Sequence, residues 1–304
     1  MGKRISILIV AILWAAPALA QSAKDIPGVV KAGIALELVS ERFNNTEGPL
    51  GMPDGSLIFS DTNDSITYRL DSAGKLWVER FNTNRGNGIA LTRRGEMLWA
   101  EGDGPRISGR NPNGGYRNLM PGTRLFQPND LIVDDKGGIY FTDPGPRPVV
   151  KGLKVYVYYL PPGANKPIVI DDGVTRPNGV TLSNDGKRLF VDNTVGTEIY
   201  VYDVQADGAA KNRRVFARLR DIPAGQEGFG DGMDIDRNDR LYVTSLVGVQ
   251  VFDSKGAYLG TIKVPRQPSN VAFAGFDQKT LYITARQGLY RLPVESQGPA
   301  RLGK

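Results

Sequence analysis

The chain reads as short apolar runs cut by turns. Stretches such as LIFSD (57–61), IYFTD (139–143) and TEIYVYDV (197–204) are rich in Val, Ile, Leu, Tyr and Phe, and SITYRLD (65–71) alternates polar with apolar. Between them stand turn-forming pairs such as Asp54-Gly55, Lys136-Gly137 and Asp185-Gly186. Period-two runs bounded by Gly, Asn and Asp are the signature of strands joined by tight turns, and helical spacing is scarce. The pattern predicts an all-β protein.

The pattern also repeats. Glu47 (TEGPL), Asn87 (GNGIAL), Asn129 (QPNDLIV), Asn178 (RPNGVTL), Asp231 (GDGMDI) and Asn270 (PSNVAF) recur at spacings of 40, 42, 49, 53 and 39 residues. Eight residues past each anchor stand Gly55, Gly95, Gly137, Gly186, Asp239 and Gln278, where a hairpin turn is expected. Fourteen past it stand Asp61, Glu101, Asp143, Asp192, Ser245 and Thr284, at the end of a second apolar run. Units of this length, each a small antiparallel sheet, predict a six-bladed β-propeller in one domain; a solenoid is the alternative, though its repeats are shorter or helical. The run IALELV (34–39) precedes the first anchor, and the sixth unit stops soon after GLYRL. The N-terminal run is therefore expected to complete the last blade.

In such a ring the anchors begin the innermost strands, and in an antiparallel hairpin the start of one strand faces the end of the next. Both sets then surround one mouth of the central channel. Two readings of the anchors are open. Asn-Gly and Asp-Gly are common turn pairs, which leaves Glu47 unexplained. Alternatively, converging carboxylates and amides hold a cation, because they cannot stay unpaired. Composition sharpens the second reading. The 304 residues contain no His and no Cys, so disulfides, thiolate nucleophiles, Ser-His-Asp triads and His-based zinc sites are excluded. Oxygen donors suit a hard ion, Ca²⁺ first, with Mg²⁺, Mn²⁺ or Zn²⁺ as alternatives. The strand-end acids have their own plain reading as solvated charges or turn starters. Trp77 and Trp99 read as blade packing, and the pairs Arg93-Arg94 and Arg213-Arg214 as exposed charge.

The first segment, MGKRISILIVAILWAAPALAQS, has a basic start, an apolar stretch and an Ala18-Leu19-Ala20 cleavage pattern. It reads as a signal peptide over 1–20, leaving a propeller over 21–304 in the periplasm or outside the cell, with no membrane span after cleavage; an N-terminal membrane anchor is the alternative, though the apolar run is short for a span. The net charge of +6, which includes Lys3 and Arg4, is a mild excess and no nucleic-acid footprint.

EGP (47–49), PNDLIVDDKGGIYFTDP (128–144), RPNGVTLSNDGKRLFVDNT (176–194) and DGMDIDRNDRLYVTS (231–245) together resemble the SMP-30/gluconolactonase/LRE-like family of six-bladed propellers. The resemblance implies one divalent metal at a channel mouth, with Glu47, Asn178 and Asp231 as its ligands. It implies Asp231 as general base and Asn129 beside the metal, contacting water or a lactone substrate. Asp143 and Glu101 are candidates for hydrogen bonds to sugar hydroxyls. Where animal members carry an Arg two residues before the third anchor, this chain has Gln127, and its second blade lacks the His of several bacterial lactonases. The leading expectation is a metal-dependent lactonase. The alternatives are a non-catalytic propeller stapled by its metal, binding a carbohydrate or protein, and the same site acting on a non-sugar lactone or an ester.

Overall fold

The computed structural model describes residues 22–299. The signal segment read at 1–20 lies outside them. Among the described residues there are twenty-four strands and no helix, hence no helix long and apolar enough to cross a membrane. The strands form six four-stranded antiparallel sheets, each built from consecutive strands except the last. The innermost strands are Thr46–Gly51, Gly86–Leu91, Leu131–Val133, Pro177–Leu182, Met233–Ile235 and Asn270–Ala274. The expected six-bladed propeller is present, with every anchor at or just before an inner strand.

The turns follow the repeat closely. All six residues eight past an anchor have positive φ: Gly55, Gly95, Gly137 and Gly186 at 66–87°, Asp239 at 58° and Gln278 at 52°. That left-handed conformation is where glycine is favoured, which explains four glycines at one register. The two exceptions keep the geometry with a side chain in place.

No single core fills the molecule. Six apolar clusters lie one in each gap between neighbouring blades. Within the strand Leu57–Asp61, Leu57 and Phe59 face the sixth blade and Ile58 faces the second. A strand covered on both faces explains the near-continuous apolar runs.

Ring closure comes from the N-terminal segment. Glu37–Ser40 pairs antiparallel with Gly288–Pro293 and supplies the fourth strand of the sixth blade. The strand begins three residues later than the expected run. Ahead of it, Ile26, Val29, Val30 and Leu36 pack between the fifth and sixth blades. Nearer the axis, the Thr46 N–H donates to the Arg286 carbonyl at 2.6 Å, and the Ser269 hydroxyl donates to the Thr46 carbonyl at 2.7 Å.

Burying each of those four N-terminal side chains contributes about 1.5–3 kcal/mol. Their sum approaches the whole net stability of a typical domain, about 5–15 kcal/mol. A chain beginning at Glu41 is therefore expected to lose its cooperative thermal transition by calorimetry. A melting curve matching that of the longer chain would contradict closure by this segment.

Candidate active site

The inner strands place their anchors by breaking register. Bulges fall between Glu47 and Leu50, Gly86 and Ile89, and Pro177 and Val180, each at an anchor. A bulge bends its strand and re-aims a side chain, here toward the axis. The glycine after an anchor serves close approach. A Cβ on Gly48 would lie 2.1 Å from the Asn87 carbonyl oxygen, and one on Gly179 would lie 2.0 Å from that of Asp231. The Asn-Gly and Asp-Gly pairs are thus points where neighbouring blades touch at the channel, which answers the turn reading. Strand-end hydroxyls stitch the same layer: Ser60 donates to the Asn87 carbonyl at 2.7 Å and Thr142 to that of Asn178 at 2.6 Å.

Five of the six anchors line one cavity of about 290 Å³: Glu47, Asn87, Asn129, Asn178 and Asp231. Asn270 does not reach it. Its Oδ1 accepts from the Val271 N–H at 2.8 Å, and its side chain lies against Gly232. Glu47 and Asn178 are buried and Asp231 is half-buried. Burial, and next the like charge of Asp231, hold Glu47 well above the usual carboxylate range despite Arg286. Burial pushes Asp231 up to about 6, with Asp130 adding to the rise and Arg286 and Arg176 opposing it. The Oδ1 atoms of Asn87 and Asn178 are buried with no hydrogen-bond donor. Buried acceptors without donors beside two carboxylates that resist ionisation are what a hard cation would relieve. No group of three or more carboxylates gathers among the described residues, so the donors on offer are two carboxylates and amides. Glu47, Asn178 and Asp231 could hold such an ion, and Asn87 is a further oxygen at the same wall.

The strand-end acids stand elsewhere. Asp61, Glu101, Asp143 and Asp192 are wholly buried, not solvated, and none lines the cavity. Asp61 accepts from the N–H groups of Asn44 and Asn45 at 2.9 Å, and Asp143 from those of Phe126 and Gln127 at 2.8 and 2.6 Å. They fix the backbone that leads into the inner strands. Glu101 accepts from Arg80, Asn84, Arg106 and Ser108, and these bonds outweigh burial and hold it below the usual range. The expectation that Asp143 and Glu101 contact substrate does not fit this placement. Their oxygens are spent on groups one layer behind the cavity. Trp99 is buried and donates to the Thr67 hydroxyl at 3.1 Å, whereas Trp77 sits 38% exposed on an outer strand.

Several cavity residues escaped the sequence reading. Arg85, Arg147, Arg176, Arg286, Thr194 and Phe229 all line it. Arg176 is buried and its Nη1 lies 2.9–3.2 Å from the carbonyls of Pro144, Gly145 and Pro146. Burial, then Arg147, lower its pKa to about 10, so it stays charged at neutral pH. Arg147 pairs with Glu227 at 3.0 Å and covers the Phe229 ring at 5.2 Å. The connection after the third blade's second strand (144–155) therefore meets, over the mouth, the one that leaves the fourth blade's outermost strand (219–232). Arg176 stands two residues before an anchor, a signal available in the sequence, but its partners come from another blade.

The sequence model of the SMP-30/Gluconolactonase/LRE-like region matches residues 45–287. The chain belongs to this family. Among family members, it is similar to the gluconolactonase of Zymomonas mobilis, at 26% identity over 90% of this chain and 85% of that protein. It is similar to the pentonolactonase of Haloferax volcanii at 28% identity over 80% and 81%. Its structure is similar to that of a gluconolactonase from Xanthomonas campestris, with a TM-score of 0.77, 30% identity, and coverage of 93% of this chain and 99% of that one. The matched stretch runs from just before the first anchor to just past Arg286, so it holds five whole blades and the inner two strands of the sixth.

Both raised carboxylates bind protons more tightly in the folded chain than in the unfolded one. Stability of cation-free protein is then expected to fall as pH rises from the ordinary carboxylate range near 4 through about 6. In chelator, the Tm of the protein should be higher at pH 5 than at pH 7.5, and the Glu47→Gln/Asp231→Asn double variant should flatten that difference. Equal slopes in the two proteins would contradict the assignment of strain to this pair.

Proposed function

We propose that the chain is a metal-dependent lactonase that opens a sugar lactone, with the cation, Ca²⁺ first, held by Glu47, Asn178 and Asp231. The observation that carries the reading is the cavity itself: two like-charged carboxylates with raised pKa values beside buried amide oxygens without donors. The relatives named gluconolactonase and pentonolactonase support the reaction class. The cavity is at the small end of ligand pockets, about 300–1,000 Å³, which suits a compact polar ring. Export directed by residues 1–20, to the periplasm or beyond, belongs to the same proposal.

When bound, the cation supplies a Lewis acid that polarises the lactone carbonyl, an effect worth several kcal/mol. The chain's own residues do the rest. Asp231 accepts a proton from the attacking water as its oxygen bonds to the carbonyl carbon. Asn129, whose carbonyl is fixed by the Gly88 N–H at 2.8 Å, orients water or substrate with its side-chain amide. The ring C–O bond then breaks, and the departing alkoxide takes the proton back from Asp231, leaving the hydroxy acid. The loops joined by Arg147, Glu227 and Phe229 limit the entry of further water.

Acid release from glucono-1,5-lactone, followed by pH-stat, tests this. Turnover is expected to vanish in chelator, to return with one added cation, and to fall at least about 100-fold in folded Asp231→Asn. Undiminished turnover in chelator would overturn the metal dependence, and full activity in Asp231→Asn would overturn the base assignment.

A further inference from the structure

The charges around the cavity do not balance once the proposed cation is counted. Glu47 and Asp231 are matched by it, and Arg147 is matched by Glu227. That leaves Arg85, Arg176 and Arg286 on the lining, which carries no carboxylate besides Glu47 and Asp231. None of the three arginines forms a salt bridge among the described residues, whereas Arg69, Arg80, Arg106, Arg110 and Arg117, on the neighbouring blades, all do.

Arg176 is the sharpest case. It is 6% exposed, its Nη1 is spent on loop carbonyls, and its buried Nε has no acceptor. A buried guanidinium N–H without an acceptor is costly. Arg85 and Arg286 carry a second oddity. Both have left-handed backbones, with φ of 52° and 54°, at positions where Gly or Asn is the usual occupant.

We propose that the substrate is a lactone bearing a second acidic group, which docks against Arg176 and Arg286 while the lactone carbonyl lies at the acid–amide wall. The inference rests on the lactonase reading and names its substrate class. Arginine presents paired N–H donors that match carboxylate and phosphate oxygens. A cationic patch inside a low-dielectric cavity attracts a dianion more than a monoanion or a neutral ring. In this arrangement the cationic role falls to the fourth and sixth blades.

The test is calorimetric titration of the full protein with Ca²⁺ present, using open-chain acids that need no turnover: gluconate as the one-acid reference, glucarate for a second carboxylate and 6-phosphogluconate for a phosphate. At least tenfold tighter binding of glucarate or of 6-phosphogluconate is expected, and whichever binds tighter identifies the second group. The preference should shrink at least tenfold in Arg286→Gln and in Arg176→Gln. If Arg176→Gln does not fold, Arg286→Gln and the wild-type ratio still decide. Gluconate binding as tightly as both diacids overturns the inference, as does a preference unchanged in Arg286→Gln. The two failures are distinguishable: turnover of glucono-1,5-lactone without any diacid preference overturns this inference alone, and diacid preference without turnover of any lactone overturns the enzyme reading, and with it the substrate assignment, leaving a dianion-binding site.

Discussion

Every blade of this protein is a small sheet with apolar side chains on both faces, so each needs a neighbour on either side. The six clusters between blades answer that need, and they form a closed set in which Glu37–Ser40 completes the last sheet. An open row of blades would leave two apolar faces and two unpaired edges in water. Closing the ring brings the starts of six inner strands to one axis. The site is a consequence of closure: residues some 40–50 positions apart in the chain become neighbours across a channel.

Crowding at the axis sets the local chemistry. Backbones approach so closely that the residue after an anchor must often be glycine, and strand-end hydroxyls lock the contact. Glu47 and Asp231 line the same cavity, and the charge of Asp231 makes Glu47 harder to ionise. Burial alone does not set this strain. Glu101, equally buried, is satisfied by two arginines, an amide and a hydroxyl. Two buried acids at similar depth thus serve opposite ends, one holding blades together and one left available for a ligand.

The repeat made most of this legible from the sequence. Register alone located the anchors and the turns, including the positive φ at Asp239 and Gln278 where the glycine is missing. It also placed Glu47, Asn129, Asn178 and Asp231 at a common mouth, and all four line the cavity. Register could not tell which way a strand-end carboxylate turns. Asp143 and Glu101 share the periodicity of a second ring, yet Asp143 points at N–H groups of a loop and Glu101 at guanidinium groups on strands outside the inner hairpin. Asn270 shares the anchor position, and its amide is taken up by the backbone beside it. The arginines were hidden for the same reason. Arg176 has meaning only beside residues 144–146 of the preceding blade and the empty acceptor side of its Nε.

The account turns on a cation at the axis, held by acids and amides that otherwise repel or lack partners. The most direct measurement is a crystal structure of the protein grown with Mn²⁺ or Ca²⁺, with anomalous scattering used to locate the metal. The account predicts one ion bonded to Glu47, Asn178 and Asp231, at the roughly 2.3–2.6 Å expected for Ca²⁺ and oxygen. A cavity without a metal at saturating cation, or a metal bound only elsewhere, would contradict it.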